Sequence, residues 1–337
     1  MIVSVCIIAL NEEKALPLLL EEIVKQDYAH GSMEVVLVDS KSEDRTRDIM
    51  NDFAERNSDF ADVVVAVNAK RIQAAGWNVA IKSSTGDVII RIDAHASIPS
   101  DFVRQCMLAI EGGEMVVGGA RPNIAVVDTP WQQVLLQAES AALGSGIALY
   151  RKPISQKQYV KSIFHGTYRR EVFEKVGGFD ERFGRTEDNE LHYRIRKAGY
   201  QIAMLPEIIS YQHIRATWKN MIKQKYANGY WVALTLGICP GCLSLYHFAP
   251  LTLICCLLIL VGVSIATQSI LLFGCSFLIY MIFNICVTVF AVAGKEKHWQ
   301  QICLPLLFMS IHISYGIGSF IGLVKMPFWC RRIKKEK

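Results

Sequence analysis

Two side chains able to hold a divalent cation, Asp93 and His95, lie at the end of an apolar run in the stretch VIIRIDAHASIP, Val88 to Pro99. Alternate residues of an extended chain share a face, so the carboxylate and the imidazole point the same way. Both groups ligate divalent ions, and hard ions such as Mg2+ or Mn2+ usually share their ligands with phosphate oxygens. The pair therefore suits a metal–diphosphate site, although an Asp at a strand end is also a common turn former. A second group of acids, Glu187, Asp188 and Glu190, follows Thr186 in TEDNELHYRIRKAG. With Thr186 as N-cap these acids fall in the first turn of a helix, where the helix dipole favours negative charge.

These residues need elements to carry them. From Met1 to about Ser97 the runs IVSVCIIA, MEVVLVD, ADVVVAV and DVIIRID alternate with the helix-like stretches Glu12–Gln26, Arg45–Arg56 and RIQAAGWNVAIKSS. This βαβαβαβ order predicts an α/β fold, a mostly parallel sheet flanked by helices, with ligands collecting at the strand C-termini. The strands end on Asn11, Asp39, Asn68 and Asp93, so Asn11, Glu12 and Asp39 share one sheet edge with Asp93. Asp39 can accept hydrogen bonds from a base or ribose, and Arg71 opens the helix after the third strand. No glycine-rich phosphate loop follows the first strand, which argues against dinucleotide cofactors and P-loop chemistry. Beyond a less regular stretch, Phe102–Tyr168, with a strand in MVVGGARP and a helix from Trp131 to Leu143, comes a second loop–helix–strand passage.

The C-terminal third has a different character. Segments 243–267, 269–293 and 302–324 contain no Asp, Glu, Lys or Arg. Each is long enough to cross a bilayer core of about 30 Å. The last 95 residues carry eight Lys and Arg against two Glu, so the basic balance of the chain belongs to its tail, which ends RRIKKEK. Such a cluster after an apolar segment meets anionic lipid headgroups rather than nucleic acid. Thr217–Trp231 mixes lysines with Trp218, Met221, Tyr226 and Trp231 as an amphipathic surface helix does. Eight of the ten cysteines lie at or after Cys239, mostly inside the apolar segments, and indicate no disulfide framework. The expected organisation is a catalytic domain at 1–216, an interfacial helix and linker at 217–242, membrane segments at 243–324 and a basic tail at 325–337. Three full crossings would place the tail opposite a cytoplasmic domain, against the positive-inside tendency. The third segment, the most polar, is therefore expected to be interfacial or re-entrant.

Several ordered motifs resemble the family-2 inverting glycosyltransferases of GT-A fold. VSVCIIALNEEKALPLLLEEIVKQDY is similar to the family's opening strand and helix, and EVVLVDSKSEDRTRDIM to its nucleotide segment. TGDVIIRIDAHASIPSDFV carries the DxD position, and RREVFEKVGGFDERFGRTEDNELHYRIRKAGY resembles the acceptor-side segment with its ED pair. With its apolar C-terminal segments the chain looks most like the membrane-bound glycosyltransferases of exopolysaccharide assembly.

The resemblance implies a donor site from Asn11, Glu12, Asp39, Arg71 and Asp93, and a catalytic base at Asp188 with Glu187 beside it. It places Mg2+ or Mn2+ on Asp93, with His95 and His213 as further metal positions; in His95 an imidazole stands where the family has a second carboxylate. It puts Gly166, Glu190, Gln224 and Trp231 on the acceptor side, although QKYANGYW lacks the Arg of the processive QxxRW segment. The implied reaction moves a sugar from a nucleotide-diphosphate donor, a UDP-sugar, to a lipid-linked saccharide at the cell membrane. Two other classes compete: a nucleotide-sugar-binding transport or assembly component, which has no need of a base, and a sugar nucleotidyltransferase, which needs the missing phosphate loop and no membrane.

Overall fold

The computed structural model describes residues 1–335 except Ser145 and Ile147; Glu336 and Lys337 of the basic tail lie outside the described residues. The opening alternation folds as β1 (Val3–Ala9), α1 (Leu16–Val24), β2 (Met33–Asp39), α2 (Thr46–Arg56), β3 (Asp62–Val67), α3 (Gln73–Ser83) and β4 (Val88–Asp93). Next come β5 (Ala96–Ser97), α4 (Phe102–Glu111), β6 (Val116–Ala120), β7 (Asn123–Ile124) and α5 (Pro130–Ser140). Then follow β8 (Gln158–Tyr159), β9 (Thr167–Arg169), α6 (Arg170–Val176), α7 (Glu187–Lys197), β10 (Ala203–Ile209) and β11 (Tyr211–His213). The remainder is helical: α8 (Trp218–Leu236), α9 (Ala249–Thr267), α10 (Leu271–Val292) and α11 (Leu304–Lys335).

The chain divides into two units, and the division is discontinuous: residues 1–122 and 152–213 form the first, 123–151 and 214–337 the second. The segment 123–151, assigned by the sequence to one continuous catalytic domain, thus belongs with the C-terminal helices. In the first unit an eight-stranded sheet has the order β3-β2-β1-β4-β9-β6-β10-β8. β1 to β4 and the β6–β10 pair are parallel, while β9 runs antiparallel between β4 and β6. Both faces are covered, which is why β1, β2, β4 and β6 are mostly apolar along both faces, with Ser4, Glu34 and Arg91 as buried exceptions. Leu16, Leu19, Met50, Phe102 and Met107 pack on one face, Trp77, Ala80, Phe173, Leu191 and Ile195 on the other. At Gly119 of β6 a Cβ would run into the backbone of Ile208, so the strand pair closes only around glycine.

In the second unit three helices are long and apolar enough to cross a membrane. α8 and α11 pack together through small residues. Trp218 Nε1 donates to Ser310 Oγ at 3.0 Å, and Ser314 Oγ donates to the Ile222 carbonyl at 2.9 Å. A Cβ on Gly318 or Gly322 would meet the carbonyls of Tyr226 and Tyr230 respectively. Ser310, Ser314, Gly318 and Gly322 recur at every fourth position, a small-residue ladder that lets two backbones approach closely. Adding a methyl group there is an overpacking change: Gly318→Ala is expected to cost about 1–3 kcal/mol. A fall in the thermal midpoint of the detergent-solubilised chain would register it. Gly262→Ala in α9, where a Cβ meets nothing within 4 Å, should leave the midpoint unchanged or raised.

The third apolar segment does not re-enter: α11 is one unbroken helix of 32 residues that runs through Pro327 into the basic tail. A re-entrant loop needs a break that this helix lacks. All ten cysteines are free, Cys239 and Cys242 among them.

Candidate active site

Parallel pairing brings the strand ends to one edge. Asp39 lies in register with Ala9 and Asp93 with Ile8, so the two carboxylate residues flank the end of β1 from either side. Two strand spacings set them about 10 Å apart. The chain leaves this edge through three left-handed residues, Asn11, Lys41 and Arg71, with φ of 57°, 59° and 56°. Non-glycine residues rarely adopt this conformation, and it persists only where the surroundings enforce it. The enforcement is visible. Asn11 donates its N–H to Ser42 Oγ at 3.0 Å, and its Oδ1 accepts from the Glu43 amide at 2.8 Å. The Glu12 amide donates to Thr46 Oγ1 at 2.8 Å, and Arg71 donates twice to Glu43 Oε1 at 3.0 Å. Asp39 is buried and takes the Ser42 amide on Oδ1 at 3.0 Å. Asn11, Glu12 and Arg71 therefore build the loop in which Asp39 sits.

At the tip of β4, Asp93 Oδ2 lies 3.5 Å from His165 Nε2 and 3.8 Å from Arg121 Nη1. Burial alone would raise the Asp93 pKa, but the His165 hydrogen bond and the charges of its neighbours, Arg91 among them, hold it well below the usual carboxylate range. His165 is itself buried and left-handed, and its Nδ1 is 2.8 Å from Ser210 Oγ. Burial, seconded by Arg121 and Arg91, lowers its pKa to about 4. The neutral ring can accept a hydrogen bond from the Ser210 hydroxyl on Nδ1 and turn its Nε2–H toward Asp93.

The metal positions drawn from the sequence do not assemble. Among the described residues no group of three or more His, Cys, Asp or Glu side chains could hold an ion. His95 is turned to Glu12, with Nδ1 at 3.1 Å from Oε1. His213, on β11, is half-buried, and burial and the His95 charge lower its pKa against an opposing pull from Glu22. Asp93 remains: one ionised, partly exposed carboxylate. That donor set fits a cation that takes its other ligands from substrate phosphates and water, as Mg2+ does.

The second carboxylate group reaches the same place through a buried arginine. Arg91 precedes Asp93 by two residues on β4, lies 4.6 Å over the Trp77 ring and 5.4 Å from that of Phe179, and is almost inaccessible. Its Nη2 lies 3.5 Å from Asp188 Oδ2 and 3.9 Å from Glu187 Oε1. Burial, then the neighbouring Asp188 charge, pushes Glu187 well above its ordinary value; burial also acts to raise Asp188, but Arg91, the Glu187 hydrogen bond and His192 together outweigh it and lower the group. The two shifts run apart, so a proton shared by the pair favours Glu187 and the negative charge favours Asp188. Thr186 does not cap α7 with its side chain: it is left-handed, with φ of 69°, and its hydroxyl turns to the Arg185 carbonyl.

The acceptor-side positions separate. The Gly166 carbonyl accepts the Arg91 N–H at 2.9 Å, and a Cβ at Gly166 would press on the Tyr168 hydroxyl. Glu190 is held by Arg194 at 2.7 and 2.8 Å, and Arg194 also donates to the carbonyls of Val176 and Gly178, which ties helix to loop. Gln224 and Trp231 lie on α8 in the second unit, where Trp231 meets Trp329 edge to face. Arg91, Arg121, His165 and His192 were not singled out from the sequence. Only Arg91 left a signal there, a lone charge inside an apolar strand.

His192, one turn beyond Asp188, is fully buried between Tyr168 OH at 2.8 Å and Ser162 Oγ at 2.9 Å, and burial holds its pKa at about 3. Unfolded, His165 and His192 take up protons near 6.5; folded, they stay neutral down to about 4 and about 3. The unfolded chain therefore binds more protons in that window, so stability falls as pH drops through it. Denaturation midpoints between pH 7 and 4 should show the slope, and His192→Gln should flatten it.

Comparison with known proteins gives three results. A family model described as glycosyl transferase family 2 matches residues 4–177. The dolichyl N-acetyl-alpha-D-glucosaminyl phosphate 3-beta-D-2,3-diacetamido-2,3-dideoxy-beta-D-glucuronosyltransferase of Methanococcus voltae is 26% identical over 96% of this chain and 97% of its own length. Succinoglycan biosynthesis protein ExoA of Rhizobium meliloti is 30% identical over 68% of this chain and 73% of its own. Among solved structures, the mannosyltransferase PcManGT of Pyrobaculum calidifontis, in complex with GDP-Man and Mn2+, superposes with a TM-score of 0.56 at 17% identity, covering 94% of this chain and 86% of that one. TarS of S. aureus, residues 1–349 with UDP-GlcNAc, gives 0.51 at 14% identity, covering 95% and 90%.

Proposed function

As this chain belongs to glycosyl transferase family 2 and is a glycosyltransferase, we propose that it transfers a sugar from a UDP-sugar, with inversion, to a lipid-linked saccharide. The pathway is exopolysaccharide or capsule assembly, at a membrane that the chain crosses more than once with its catalytic unit on the cytoplasmic side. The observation that carries this reading is the buried Arg91, whose charge acts on Asp188, Asp93 and Glu187 together. A binding or assembly component has no use for an ionised base held this way.

The roles follow from the geometry. Asp39, with one carboxylate oxygen engaged by Ser42, offers the other to the N–H of a uracil. Asp93 would hold Mg2+ or Mn2+ against the donor diphosphate, and the ion when bound would neutralise charge on the leaving group. Asp188 takes the proton from the acceptor hydroxyl as that oxygen attacks the anomeric carbon. A single displacement needs one base and no enzymic nucleophile. Glu187 keeps its proton and adds no second negative charge beside the leaving diphosphate. An acceptor held in lipid reaches the site by proximity rather than by encounter from solution.

A panel of radiolabelled UDP- and GDP-sugars on membranes carrying the protein tests the proposal. Label from a UDP-sugar should enter the organic-extractable lipid fraction, with the anomeric configuration inverted. Transfer from GDP-sugars alone, or retention of configuration, would overturn it.

A further inference from the structure

Four of the pairs that join α8 to α11, Trp218 with Ser310, Ile222 with Ser314, Tyr226 with Gly318 and Tyr230 with Gly322, are each separated by 92 residues. A constant offset means that the two helices run parallel, in fixed register, over successive turns. Between them the chain makes a hairpin of α9 and α10, whose apolar surface is almost wholly open along both helices. If both helices of the hairpin cross, the chain leaves α8 and enters α11 on the same side of the bilayer. A crossing α11 would carry its parallel mate across with it, and the chain would then leave α8 on the far side. The two conditions exclude each other.

We propose that α8 and α11 lie as one slab along the membrane surface, that α9 and α10 alone cross, and that the slab's partner is an anionic lipid surface. Lys219 and Lys223 are exposed on α8. Within hydrocarbon each charge would be costly to bury. On the side turned away from Gly318 and Gly322, α11 exposes Leu306, Ile317, Phe320, Val324 and Phe328. At 100° per residue these fall within an arc of about 80°, a single stripe for the acyl boundary. The same stripe continues into Arg331 and Lys335, beside Arg332 and Lys334, where headgroup phosphates would lie. α11 meets α9 at Pro250 and Ile254 and meets α10 from Tyr280 onward, the parts of the hairpin nearest the side where it begins and ends. The tail then stays with the start of α8, in keeping with the positive-inside tendency.

This deepens the membrane part of the functional reading, and its test does not depend on turnover. Epitope tags at Met1, in the turn after Gln268 and at the C-terminus of the full chain are mapped by protease in right-side-out and inverted vesicles. The turn tag should be cut from the outside only, and the two terminal tags from the inside only. A C-terminal tag on the opposite side from the Met1 tag overturns the slab, and a turn tag on the same side overturns the crossing hairpin. Should the inserted tag prevent accumulation, labelling of Ser269→Cys from each side, located by mass spectrometry, gives the same readout. In nanodiscs, brominated phosphatidylglycerol should quench tryptophan fluorescence more than brominated phosphatidylcholine at equal content; equal quenching overturns the anionic partner.

Discussion

Replacing Asp188 with Asn is expected to lower kcat by roughly 10²–10⁴-fold while leaving donor affinity nearly unchanged. The substitution keeps the side-chain volume and removes the carboxylate of the acidic pair that Arg91 favours in its ionised form. It also removes the charge that helps to keep Glu187 protonated, so the Glu187 pKa should fall, and any residual rate should depend on it. The double change Glu187→Gln with Asp188→Asn should therefore be slower still than Asp188→Asn alone. Initial rates at saturating donor, with calorimetric donor titrations beside them, separate the two quantities. A kcat within tenfold of the parent chain would remove Asp188 from the role of base.

The second large effect is expected on donor binding. Asp93→Asn should weaken Mn2+-dependent binding of UDP by about a hundredfold, or about 2.7 kcal/mol, within the several kcal/mol that a charge-neutralising ion supplies. Binding of UDP without metal should barely change, because the loop around Asp39 does not depend on that carboxylate. Titrations with and without Mn2+ distinguish the two. If the metal-dependent increment survives the substitution, Asp93 is not the residue that holds the ion. Any stability loss from freeing His165 and Arg121 would instead appear in both titrations.

The sheet and its ligand edge were legible because their signals are local. Apolar runs of strand length alternate with helical stretches, and Asn11, Asp39 and Asp93 stand where each strand stops. The surroundings of the carboxylates were not legible, because they are made by residues distant in sequence. Arg121 and His165 reach Asp93 from 28 and 72 positions away, and nothing in a linear pattern pairs them. Glu190, which the resemblance puts on the acceptor side, is bound by Arg194 at i,i+4, a pairing that the helix period does make legible. His95 shares a face with Asp93 by the strand period, and its contact with Glu12, 83 positions away, has no signal in that period. In the C-terminal third, composition revealed three apolar segments and could not tell that α11 would lie beside α8. That information resides in Ser310, Ser314, Gly318 and Gly322, four small residues that a hydropathy average treats as neutral.

The parallel order of α8 and α11 also sets a length requirement on the chain between them. Two neighbours that point the same way need a return path, as parallel strands need a crossover. From the level of Gly237, beside Met326 and Cys330, back to Leu304 is about 24 helical positions, or about 36 Å. The membrane hairpin supplies no lateral travel if its helices stand upright, so residues 237–248 and 293–303 must cover that distance. At about 3.3–3.6 Å per extended residue, either could barely span it alone and the two share it with slack. These connectors act as spacers with a minimum reach, so deletions within them should be tolerated only until the slack is used.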